Sequence, residues 1–141
     1  VILHNPGLKS DNFLIYKNNT GKDYDKRNRY RVYLDLKRED PNIITIIFPS
    51  HFINDQNLSY FPLSGLPNRK TIHCNENGYY SIFQSDRYGF NNPDKEWDKD
   101  EIEFLLIGDS MTHGACVNEP DTISGNLRKL NNNKDGILNL G

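Results

Sequence analysis

The sequence predicts a mixed α/β protein, and three observations carry that expectation. A wholly apolar run, Phe104-Leu105-Leu106-Ile107, breaks sharply at Gly108-Asp109-Ser110. A helical stripe and a second apolar run, Ile137-Leu138-Asn139-Leu140, follow it. The residues before it read as short strands separated by turns. The first two observations make a β-α-β unit over 101–141, with the right-handed crossover that such units take. The third makes a β-rich accessory region over 1–100. A chain of 141 residues holds about one domain, or a small domain and part of another. It begins at Val1 and stops at Gly141 straight after an apolar run. Both ends therefore read as cut, the second inside a structural unit.

Within the first hundred residues, Phe13-Leu14-Ile15-Tyr16 is expected to be a short strand ending at the turn-rich Asn18-Asn19-Thr20-Gly21. Tyr30, Val32, Leu34 and Leu36 alternate with polar partners, which favours a half-buried strand and leaves a helix open. Residues 42–48 are rich in β-branched side chains and are closed by Pro49. The runs 71–74 and 79–83 flank Asn75-Glu76-Asn77-Gly78, a hairpin signal. The turn-rich stretch 85–100 is the expected junction. Beyond it, 104–107 has the continuous apolarity of a strand buried on both faces of a parallel sheet. Pro120-Asp121 offers a helix start, with Asp121 as N-cap or first-turn acid. Ile123, Leu127 and Leu130 then form one apolar stripe.

Composition narrows the classes. Eight Tyr, seven Phe and Trp97 can anchor a core, because each buries a large area. A net charge of -2 and a pI near 6.1 give no long-range attraction to nucleic acid. The basic cluster from Lys26 to Arg31 is bracketed by Asp23, Asp25 and Asp35 and reads as a solvated face. No apolar run reaches the ~20 residues that span a bilayer. Nineteen Asn and thirteen Ile are what an AT-rich genome produces, so single asparagines, including the sequons at Asn18 and Asn57, carry little meaning. Cys74 and Cys116 are too few for a disulfide framework, leave the redox compartment open, and read as small buried residues.

Chemistry concentrates at one turn. In open α/β sheets, ligands bind beyond the carboxyl ends of the strands, where Ser110 is expected. Gly108 permits a sharp turn, and the Ser110 backbone N–H can point at a developing oxyanion. A helical turn over 111–116 would add positive potential there. The competing structural reading makes Ser110 a helix cap.

The run from Phe104 to Gly114, with Gly108-Asp109-Ser110 followed by Met111, Thr112 and, two residues later, Gly114, resembles the first block of the SGNH (GDSL) hydrolases. Ile137 to Gly141 is similar to the start of that family's second block. There the oxyanion-hole glycine lies five residues after the Asn, beyond Gly141, so Gly141 is not given that role. Residues 85–93 resemble a Tyr-Gly-Phe segment of a bacterial branch of the family. The resemblance covers 101–141, and 85–100 more loosely. It implies the start of a three-layer α/β/α domain, truncated before the later blocks. It also implies an acyl-enzyme on Ser110, with the Ser110 N–H as one oxyanion donor, Asp109 and Gly108 in supporting roles, and no metal or cofactor. The family's base, a His with an Asp a few residues earlier, would lie past residue 141, so the 141 residues alone are expected to lack turnover. The implied substrate is a small-molecule or glycan ester, and the implied setting a bacterial envelope or the secreted space. The same features admit two other readings: an O-acyltransferase acting on surface polysaccharide, or an inactive binding module.

Three further residues or groups have sharp readings set against plainer ones. His113 lies three residues after Ser110, but a helical turn aims it poorly for a base. His73-Cys74 with His113-x-x-Cys116 suggests a zinc site, yet adjacent His-Cys residues rarely both ligate. Arg87 could reach toward Ser110, but its acidic neighbours offer an ordinary salt bridge.

Overall fold

A computed structural model describes the backbone of residues 6–141 and side chains from Asn12 onward. The order is α1 (Pro6–Thr20), α2 (Arg29–Lys37), β1 (Ile44–Thr45), β2 (Lys70–Ile72), β3 (Ile82–Gln84), β4 (Ile102–Leu106), α3 (Ser110–His113), α4 (Ile123–Leu130) and β5 (Gly136–Asn139). Short 3-10 turns lie at Pro49–Phe52, Asp94–Asp98 and Glu119–Asp121. Among the described residues the fold is mixed α/β, with two small sheets.

The first forty residues depart from expectation: both predicted strands are helices. Asn28 explains the second. Its side chain accepts from Arg31 N at 2.9 Å, a helix N-cap, and Arg31 and Asp35 pair one turn apart at 3.7 Å. Val32 and Leu36, two of the alternating apolar residues, are also i and i+4, so the same pattern serves a helix. Val32 is buried with Ile43 and Ile72, and Tyr33, Leu36, Tyr80 and Ile82 pack around them. In α1, Phe13 and Tyr16 meet Tyr24 at ring separations of 4.6 and 5.7 Å. A Cβ at Gly78 would sit 2.5 Å from the Tyr16 ring, so that hairpin glycine (φ +89°) is held by contact as well as by conformation.

A hairpin forms at the predicted place, but with a longer loop, since Tyr79 and Tyr80, expected in the second strand, lie outside it. β2 and β3 pair antiparallel, with Thr71 opposite Phe83, and backbone bonds between His73, Cys74 and Ser81 extend the ladder. β1 joins β2 in parallel, Ile44 opposite Thr71. The predicted strand over 42–48 is thus short, and Pro49 opens a 3-10 turn as its fixed φ allows.

The β-α-β unit forms as well: β4 and β5 pair in parallel, with α4 between them in sequence. Its burial reverses expectation twice. β4 was expected to be covered on both faces, yet Phe104, Leu105 and Ile107 are exposed and β5 is the buried strand. Helix α4 was expected to bury Ile123, Leu127 and Leu130. Instead it buries Ser124, Gly125 and Arg128, while Ile123 and Leu130 face outward. The helix also starts later than Pro120-Asp121, which form the 3-10 turn. Thr122 is the cap, accepting from Gly125 N at 2.9 Å.

A buried polar cluster explains the second reversal. Arg128, 3% exposed, donates to Glu119 Oε1 (2.6 Å), Asn92 Oδ1 (2.7 Å) and the Ile137 carbonyl (2.6 Å), and lies 3.6 Å from Glu96 Oε2. Glu96 accepts from Ile137 N, and Asn92 Oδ1 accepts from Asn139 N. Asn92 Nδ2 donates to the Asn139 carbonyl and to Asp86 Oδ2, which also receives Trp97 Nε1. A buried guanidinium stays buried only with such partners, so α4 turns its polar side inward. The cluster fixes the segment over 86–97 against β5.

Candidate active site

The Gly108-Asp109-Ser110 turn leaves the carboxyl end of β4 and enters α3. Asp109 is the N-cap: its Oδ1 accepts from Met111 N at 3.0 Å. Gly108 is required by contact, since a Cβ there would overlap Thr112 Oγ1. Ser110 is the first residue of α3, is exposed, and lines a cavity of about 500 Å³ together with Gly108, Asp109, His113, Leu140 and Gly141. Gly114, at φ +82°, ends the helix in the left-handed region, and Ala115 N donates to Ser110 O at 2.8 Å.

Two asparagines hold α3 from below. Asn139 Nδ2 donates to the Thr112 carbonyl at 2.8 Å, and Asn91 Nδ2 to the His113 carbonyl at 3.0 Å. Gly141 packs directly on the helix, where a Cβ would lie 2.6 Å from His113 N. Its N–H is held by Asn139 Oδ1 at 3.1 Å. The residues flanking Ser110 are therefore fixed by backbone contacts from β5 and from the segment before β4.

His113 does not reach the serine. Its Nδ1 lies 3.1 Å from the Gly141 carbonyl, which can only accept, so in the neutral ring the proton sits on Nδ1. Nε2 is left buried and without a partner among the described residues. Burial pushes the imidazole pKa down, partly offset by that carbonyl. The ring lies 5.0 Å from His73 and 5.3 Å from Phe83. His73 is buried, accepts from Cys116 N at 3.2 Å, and is pushed down to about 4 by desolvation, then by the neighbouring His113 and Arg29. Among the described residues, Ser110 Oγ has no hydrogen-bonded base.

Cys74 and Cys116 are joined in a disulfide, which departs from their reading as separate small residues. The fold brings the β2–β3 loop beside the turn after α3, a proximity across 42 residues that spacing alone does not reveal. Neither sulfur is then free to ligate as a thiolate. Arg87 makes ordinary salt bridges, to Asp94 and Asp98 at 2.8 Å each, and does not serve Ser110.

No protein-family model, curated protein or solved structure matches this chain. No described helix is long and apolar enough to cross a membrane.

The residues that sequence reasoning missed are those that shape the site from outside its motif. Asn91 and Asn92 have no assigned role in the sequence reading, and Asn139 enters it only as the Asn of the second-block resemblance, yet Asn92 and Asn139 are 1% exposed and hydrogen-bonded. Their one legible signal was position, since two of them stand beside the Tyr88-Gly89-Phe90 turn and one ends an apolar strand.

Proposed function

We propose that this chain carries the nucleophile of a serine ester hydrolase, with Ser110 attacking an acyl ester and holding the acyl group. The observation that supports it best is positional. An exposed serine hydroxyl stands at the carboxyl end of a strand, on a turn locked by its neighbours, facing a cavity of ligand size. The Ser110 N–H, at the start of a helical turn, has no helical acceptor and is open to an oxyanion.

Attack would place the Oγ electron pair on the ester carbonyl carbon, the proton passing to a base as the tetrahedral oxyanion forms. Collapse would expel the alcohol, and water would release the acid. The base is assigned to a group outside residues 1–141, in keeping with the family resemblance, because His113 is turned to Gly141. Asp109 serves the turn as its cap.

The test is labelling of the native protein, isolated from its source, with a fluorophosphonate and mapping the adduct by mass spectrometry. The expected adduct is on Ser110 and disappears in Ser110→Ala. A native protein that leaves Ser110 unlabelled while a control serine hydrolase reacts would remove the enzyme reading and leave a binding module.

A further inference from the structure

The cavity at Ser110 is built largely by the N-terminal half of the chain. Its lining takes Ile46 and Phe48 from β1 and its continuation, Leu63 and Leu66 from the loop before β2, and Phe83 and Phe90. The walls are held in place. Gly65 N donates to Gly89 O at 3.2 Å, and Ser64 Oγ donates to Tyr88 O at 2.6 Å, so the loop is fastened to the Tyr88-Gly89-Phe90 turn. Gly89, at φ +92°, lies so close to Gly65 that a Cβ would overlap its backbone.

The chemistry of the lining is one-sided. Among the described residues no Lys or Arg lines the cavity, and the only carboxylate is Asp109, whose Oδ1 accepts from Met111 N. Three polar groups in the walls are engaged, Ser64 Oγ by Tyr88, Thr71 Oγ1 by the Arg69 carbonyl and His73 Nδ1 by Cys116 N, while the Ser50 and Ser110 hydroxyls and His113 Nε2 have no partner among the described residues. Burial lowers the pKa of both histidines. A free fatty acid would find no Lys or Arg among the described lining residues, and a sugar would find more apolar side chains than polar ones. A hydrocarbon chain would find a lining in which apolar side chains outnumber polar ones, with Ser110 part of the same lining.

We infer that this cavity is an acyl-chain site, formed by the N-terminal region against the Ser110 turn, and that the substrate is an ester of a medium-length aliphatic acid. The inference rests on Ser110 as nucleophile for the word substrate, and on the cavity alone for the hydrocarbon. The N-terminal half is thereby the selecting wall for the acyl group, and the alcohol side of the ester lies outward, toward solvent.

The test measures binding without turnover, using amides that the site cannot readily cleave. N-methyloctanamide and N-methylacetamide are titrated into the 141-residue chain by calorimetry. Each fully buried methylene tightens binding about fourfold. The octanamide should therefore bind at least a hundredfold tighter than the acetamide. Leu66→Glu and Leu63→Glu place a charge in the wall at side chains already 47% and 76% exposed, so both variants should fold. Each should weaken octanamide binding at least tenfold. Leu130→Glu, exposed and remote from the cavity, should leave it unchanged.

Equal affinity for the two amides, or octanamide binding that survives both wall substitutions, would overturn the inference. Fluorophosphonate labelling separates it from the catalytic reading. A chain that binds octanamide but whose native form is never labelled keeps the hydrocarbon site and loses the nucleophile. A labelled Ser110 with no chain-length preference does the reverse.

Discussion

Opening the Cys74–Cys116 disulfide should cost the chain about 4 kcal/mol of stability. The bond closes a loop across 42 residues, and the chain-entropy relation for a loop of that length gives this value at 25 °C. With a urea slope of about 2 kcal/mol per molar, the unfolding midpoint should fall by about 2 M. Trp97 is the natural reporter, because it is the only tryptophan and its Nε1 is bonded to the buried Asp86. The oxidised chain, the reduced chain and Cys74→Ser/Cys116→Ser would be unfolded in urea side by side. The last two should agree with each other and lie well below the first. Coincident midpoints for all three would refute the reasoning, as would two titratable thiols in protein purified from an oxidising medium. The bond also ties the β2–β3 loop to the turn after α3, so reduction should loosen the Ser110 side of the cavity before the rest.

His73 supplies a pH dependence with a definite sign. Its pKa is 6.5 when free and about 4 in the fold. Above pH 6.5 neither state holds the proton; between 6.5 and about 4 only the unfolded chain does, so stability falls as pH falls, then levels off. The full span is worth roughly 3 kcal/mol, and urea midpoints at pH 7.5 and 4.5 should differ by less in His73→Gln than in the parent. Arg128→Met should cost about 3–5 kcal/mol, because it leaves Glu96 buried without its cation. A loss under about 1 kcal/mol by the same assay would mean that the cluster is not held by charge. Gly108→Ala should destabilise by about 1–3 kcal/mol through overlap with Thr112, partly recovered by adding Thr112→Ala. Equal thermal midpoints for parent and Gly108→Ala would remove the contact argument. The 141-residue chain should hydrolyse p-nitrophenyl butyrate no faster than its Ser110→Ala form. A Ser110-dependent rate would show that a base lies within it.

The β-α-β unit was legible because its signals are local: an unbroken apolar run, a glycine-led break, and a second run. The hairpin was legible for the same reason, through Asn77-Gly78 between β-branched flanks. Helices α1 and α2 were not. Val32 and Leu36 satisfy period two and a four-residue step alike, and the deciding vote lay in Asn28, a cap outside the pattern. The inversion of α4 was hidden more deeply. Periodicity reports which face is apolar, but not that Arg128 has four acceptors waiting on the other side. At the site, a helical turn following Gly108 was legible, but its cap is Asp109, with Ser110 the first helical residue and not the cap. The N-terminal walls of the cavity were not legible, because Ile46, Leu66 and Phe83 are brought to Ser110 only by tertiary packing.

The two side chains that meet the backbone of β5 have a practical consequence. Glu96 and Asn92 hold the amides of Ile137 and Asn139 on the side of β5 away from β4, where a sheet would ordinarily supply another strand. They act as a splint in place of main chain. Anyone transplanting the β-α-β unit into another scaffold, or expressing it from residue 101, would leave two buried donors with nothing to bind. Beginning at residue 85 instead carries the splint along, and with it the asparagine that steadies the serine-bearing helix.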